Sequence, residues 1–111
     1  MVAALNPTVL RWTDPTARTD GSAFGASQFR AYELGASPDG SPAAASALLS
    51  LPTAFGVGQS PIPTAVSDNR NQIQWLHLRT IDTNNLMSDW TNGVEVLFAS
   101  PPLAPAGFSA A

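Results

Sequence analysis

Residues 72–98 decide the fold: Gln72-Ile-Gln-Trp-Leu-His-Leu-Arg-Thr-Ile-Asp82, then Thr83-Asn-Asn-Leu-Met-Ser-Asp-Trp-Thr-Asn92, then Gly93-Val-Glu-Val-Leu-Phe98. Two runs rich in β-branched and aromatic residues flank a polar, Asn-rich turn, which is the signal of a β-hairpin. Side chains alternate along a strand, so Ile73, Trp75, His77, Arg79 and Ile81 share one face, and Gln74, Leu76, Leu78 and Thr80 the other. Leu76 and Leu78 are the natural core residues. That choice predicts an open sheet face carrying Trp75, His77 and Arg79, with Arg30 of a neighbouring strand within reach for cross-strand pairing. The same row has the residue types of an interface anchor.

Outward from the hairpin, short strand-like runs alternate with turn signals. Val2 to Leu5 reads as a short first strand ended by Asn6-Pro7. Thr8 to Trp12 follows, with Leu10 and Trp12 on one core-facing side, and Asp14-Pro15 closes it. Residues 16–28 form a small, polar connection with a turn at Asp20-Gly21 and a lone Phe24, expected to plug the end of the core. Phe29 to Leu34 is the next strand. Ser41 to Leu51 suits either a short helix, capped by Ser41 with Pro42 at its first position, or an irregular edge strand. Pro61 to Val66 is an edge-strand candidate, because proline cannot donate to a ladder interior. After Phe98 the chain turns Pro-rich through Pro101, Pro102, Leu103 and Phe108, which favours an extended, polyproline-like tail. The expected organisation is one antiparallel all-β sandwich of six to seven strands over residues 1–98, with an extended tail over 99–111.

Composition narrows the function. A chain of 111 residues with 44% hydrophobic content supplies one domain with its own core. Ten prolines and eight glycines argue for many turns and little helix. There is no cysteine, so neither disulfide nor thiolate chemistry is available. Net charge is −3, carried against scattered arginines with no lysine, so no basic stripe marks a nucleic-acid partner. The start of the sequence lacks a basic, apolar leader pattern, and no run has the length of a membrane span, so a soluble chain without an export signal is expected.

The residues resemble those of the fibronectin type III family. Val9-Leu10-Arg11-Trp12-Thr13-Asp14-Pro15 is similar to the family's second strand, whose aliphatic and tryptophan point inward before a proline. Thr19-Asp20-Gly21-Ser22 and Phe29-Arg30-Ala31-Tyr32-Glu33-Leu34-Gly35 resemble the next loop and third strand of bacterial-type members. Leu76 to Asn84, then Ser88 to Asn92 and Val94, resembles the last hairpin, the most specific part of a likeness spanning roughly residues 8–98. Gln74 stands where the family has a corner tyrosine, residues 42–66 match weakly, and the first strand is clipped. A sandwich short of an edge strand leaves backbone groups unpaired, which a partner's extended tail can complete. The resemblance implies a spacer or binding role.

Reactive constellations are sparse. His77 is the only histidine, so a multi-imidazole metal site is excluded. A Ser-His-Asp arrangement would need a serine and an acid beside it, and no nucleophile-elbow spacing occurs. Asp82, Asn84, Asp89 and Asn92 collect oxygen atoms in one turn without the EF-hand spacing, and Asx residues serve turns on their own account. No phosphate-binding glycine loop is present. The expectation is therefore a non-enzymatic structural or assembly protein without cofactor, docking on other protein subunits or on copies of itself. A phage virion component (head decoration, tail or neck), assembled in the host cytoplasm, is the leading form, with Trp75, His77, Arg79, Pro101, Pro102, Leu103 and Phe108 as contact candidates. The alternative is an extracellular carbohydrate- or protein-binding accessory module.

Overall fold

The computed structural model describes residues 3–110. Seven strands make two sheets: β1 (Ala4–Leu5), β2 (Val9–Arg11), β3 (Phe29–Ser37), β4 (Ser46–Leu51), β5 (Gln59–Pro61), β6 (Ile73–Asp82) and β7 (Val94–Leu97). The larger sheet has the order β1-β7-β6-β3-β4, and β2 pairs with β5 in the smaller one. The ten-residue β6 is the spine. It pairs antiparallel with β3 from Phe29↔Asp82 to Ser37↔Trp75. Its other edge pairs with β7 from Ile73↔Leu97 to Leu76↔Val94.

The larger sheet is mixed and not purely antiparallel. β1 runs parallel to β7, in the register Ala4↔Val96 and Leu5↔Leu97. The Asn6 N–H extends that pairing to the Leu97 carbonyl at 2.8 Å. Asn6 itself has φ 46°, a left-handed turn that asparagine tolerates, and it sends the chain across to β2. Of the predicted first strand, Val2 lies outside the described residues.

Tyr32 and Leu34 from β3, Leu51 from β4, Leu76 from β6, Val96 from β7 and Phe98 form the buried core. Leu10 of β2, Trp12 just beyond that strand, and Ile62 pack on it. Each large apolar side chain buried this fully contributes about 1.5–3 kcal/mol. Trp12 meets the Tyr32 ring edge-on at 5.0 Å, and its indole N–H donates to Asp14 Oδ1 at 3.1 Å. Asp14 also accepts the Tyr32 hydroxyl and, at 2.8 Å, the Gly56 N–H. One carboxylate thus binds the β2–β3 connection to the core and to the loop before β5. Burial, reinforced by Asp14, pushes the Tyr32 phenol well above its usual range.

Two segments combine or revise the expected elements. Residues 41–51 use both alternatives in series: a 3-10 turn at Pro42–Ala44, then β4 on the sheet edge. The strand expected over 61–66 ends at Pro61, and a single turn of helix, α1 (Thr64–Ser67), follows. Pro63 at its N-cap cannot continue the ladder, and the turn drives Val66 fully into the core. Phe24 is half-buried, packed on Phe55 at 5.9 Å beneath the Arg18 guanidinium, and stands outside the core cluster. Among the described residues no helix is long and apolar enough to cross a membrane.

Candidate docking surface

The row Trp75, His77 and Arg79 does not lie on an open face. His77 is only 1% exposed. The reason is the 83–93 connection, which folds back along β6 where β7 stops. Asp82 starts the fold-back: its Oδ1 accepts the N–H groups of Asn84 and Leu86, both at 2.9 Å. Its Oδ2 accepts from Arg18 Nη1 at 2.8 Å. Arg18, then these N–H groups, hold the Asp82 carboxyl below the usual carboxylate range. Farther along, Ser88 N–H donates to the Thr80 carbonyl and Thr91 N–H to the Leu78 carbonyl, both at 2.9 Å. The hydroxyls of Ser88 and Thr91 accept the Thr80 and Leu78 N–H groups at 2.9 and 3.0 Å. Two polar side chains thereby supply the ladder bonds that a longer β7 would have made.

This strap closes over the row. A Cβ on Gly35 would lie 2.7 Å from the Trp90 ring, so only glycine admits the indole there. Arg79 stacks on the Trp90 ring at 4.1 Å and donates through Nε to Glu33, its cross-strand partner, at 2.7 Å. Arg30 turns away to Asn85, at 2.6 Å. Trp75 lies on Gly40, whose φ of +83° and lack of a side chain allow the ring within van der Waals contact. Trp90 therefore covers this face of the sheet.

His77 is a brace between strap and sheet. Its Nδ1 lies 2.6 Å from the Thr91 carbonyl, which can only accept, so Nδ1 carries the proton. Nε2 then accepts from the Ser37 hydroxyl at 2.7 Å. Ser37 Oγ in turn accepts the Gly40 N–H at 2.9 Å. The serine needed for a catalytic arrangement is at hand, but the group behind the imidazole is a main-chain carbonyl and not an acid. Of the Asx quartet of this turn, Asp82 already has both oxygens engaged, Oδ1 by backbone N–H groups and Oδ2 by Arg18. Among the described residues no group of three or more His, Asp or Glu side chains is arranged to hold a metal.

The other contact candidates are presented outward. Two asparagines aim the tail: Ala99 N–H donates to Asn6 Oδ1 and Ser100 N–H to Asn71 Oδ1, each at 3.0 Å. Pro101, Pro102, Leu103 and Phe108 are all exposed, the last two at 95%. The tail stretches the molecule to 74 Å against cross-dimensions of 26 and 21 Å.

A feature absent from the sequence reading lies beside β2. The bonds Trp12 N–H to Gly58 carbonyl and Ile62 N–H to Thr8 carbonyl point even-numbered residues of β2 at β5. By ladder alternation, the N–H and C=O groups of Val9 and Arg11 point to the opposite edge, which pairs with no described strand. Past the Arg11 end of β2 lie two abutting cavities of about 670 and 230 Å³ that share Trp12, Leu78 and Thr91; of the free-edge residues Arg11 lines the smaller one. They form one groove, walled by Trp12 and Phe24 on one side and by Leu86 and Met87 of the strap on the other. Leu86 and Met87 are 63% and 52% exposed. Comparison of the chain with protein-family models, with curated proteins and with solved structures finds no match.

Proposed function

We propose that this protein is a non-enzymatic assembly subunit that docks on neighbouring protein subunits through its tail, as a component of a phage virion. The observation that carries the reading is the tail itself. It is an uncharged, Pro-rich segment that holds Leu103 and Phe108 95% exposed, and a partner subunit would bury both. It is also aimed, because Asn6 and Asn71 fix its first residues. Pre-orientation lowers the ordering cost of binding.

A fibronectin type III-like sandwich is the fold reading that goes with it. Support comes from the packing of Leu10 and Trp12 against the β3–β6–β7 core. Gln74, at the position of the family's corner tyrosine, makes a comparable bond back to the chain: its Nε2 donates to the carbonyls of Val66 and Asn69 at 3.0 and 3.3 Å. The carbohydrate- or protein-binding alternative would draw on exposed aromatics such as Trp75, which is half-buried with its ring against Gly40.

The test is the solution mass of the full chain and of residues 1–98 by light scattering over a range of concentrations. The core ends at Phe98 and residues 100–110 are exposed, so the truncated form keeps its fold. Concentration-dependent association of the full chain, lost on truncation, is expected. Equal monomer masses for both forms would reject self-docking through the tail.

A further inference from the structure

We propose that the groove beside β2 is the receptor for the tail of a second copy, which enters it as a polyproline-type segment over residues 101–106. The inference rests on the assembly reading above and adds the surface that receives the tail.

Chemistry matches on both sides. Residues 99–111 contain no charged side chain, and three of the first seven are prolines. Proline offers no N–H, so such a segment suits a groove that recognises it by apolar and aromatic contact more than by a full ladder. Trp12 and Phe24 supply aromatic walls, Leu86 and Met87 the opposite wall, and Met adapts to an irregular occupant. The N–H of Arg11, which lines the smaller cavity and pairs with no described strand, remains available to a tail carbonyl, which a polyproline helix leaves free. Lengths also agree. Leu76 to Asp82, beneath the groove, span about 20 Å at a strand's rise. Six residues of polyproline helix span about 19 Å.

Direction selects a second copy over the chain's own tail. β7 and the asparagine clamps send the tail off beyond the Ile73 end of β6. The larger cavity sits at the other end of that strand, beside Thr80 and Asp82. A chain's own tail would have to reverse completely just after its clamped residues. A neighbour's tail enters without reversal, and the contact is then head-to-tail, propagating from subunit to subunit.

The experiment uses a fluorophore-labelled peptide of residues 99–111 titrated with the 1–98 form, read by anisotropy, beside light scattering of the full chain. The expected result is saturable binding that weakens about tenfold or more in Met87→Glu and separately in Leu86→Glu. Both positions are exposed, and native circular dichroism of each variant confirms the fold. Full-length Met87→Glu is expected to lose association. Association of the full chain that depends on the tail but ignores both groove substitutions would overturn the groove and leave the assembly reading standing. A full chain that stays monomeric, with no peptide binding, would overturn the groove as receptor together with self-docking through the tail. Binding to the groove by the peptide while full-length chains stay monomeric would reject the exchange between copies.

Discussion

Replacing His77 by leucine tests whether the outer face of β6 is covered. The substitution keeps an apolar body of similar size and removes both ring nitrogens. Thr91 loses a donor at 2.6 Å, and the Ser37 hydroxyl loses the acceptor for its proton at 2.7 Å. Thr91 is exposed, so water recovers part of that loss, about 0.5–1 kcal/mol remaining. Ser37 is half-buried and its oxygen stays bound to Gly40, so orphaning its proton costs about 1–2 kcal/mol. The total is roughly 2 kcal/mol, some thirty-fold in the folding equilibrium. Urea unfolding followed by tryptophan fluorescence reads this as a fall of about 1–2 M in midpoint at unchanged slope. On an open sheet face the same change would stay within about 0.5 kcal/mol. A midpoint indistinguishable from the parent would refute the covered face and the brace together.

Three further outcomes follow from the same contacts. Gly40→Ala places a Cβ 2.7 Å from the Trp75 ring at φ +83°, and is expected to destabilise by about 1–3 kcal/mol, measured by the same urea midpoint. Tyr32 is the only tyrosine, and its raised folded-state phenol leaves its contribution to stability intact below the unfolded value of about 10, to be lost as pH climbs beyond it. Alkaline titration should therefore show phenolate absorbance appearing together with loss of native circular dichroism, and an ordinary tyrosine titration in folded protein would contradict this. Asp82 has the opposite sign: its lowered carboxyl contributes stability above the unfolded value of about 3.9, lost as pH falls through the folded one. Stabilities of the parent and Arg18→Ala should differ at neutral pH and converge below about pH 4; a constant difference would show that the ion pair plays no part.

Much of the fold was legible because it was written in alternation. The period of two placed Leu76 in the core, Leu10 and Trp12 toward it, and β3 beside the hairpin, and the structure has all of these. Prolines marked where β3 and β4 stop, at Pro38 and Pro52, whereas the strand expected to end at Leu34 runs on through Gly35 to Ser37. The fate of the other face was not legible in the same way. Alternation says that Trp75, His77 and Arg79 share a side, but not whether something returns to cover it. The hint was in the turn: Ser88 and Thr91 are spaced to bond the backbone of β6, and Gly35 and Gly40 have no side chain where two indoles must lie. Tertiary contact between a loop and two distant glycines carries no local signature. The groove was hidden for a related reason, since it arises from where β1 goes. By pairing with β7, the first strand leaves the edge of β2 uncovered.

Mixing tests the central claim most directly. Full-length Met87→Glu retains a tail but lacks a receptive groove, whereas the 1–98 form retains the groove and lacks the tail. Each alone is expected to be monomeric by light scattering. Together they should form a one-to-one complex that grows no further, because one competent interface remains. Two monomers that ignore each other at concentrations where the parent chain associates would contradict head-to-tail docking of the tail in the groove.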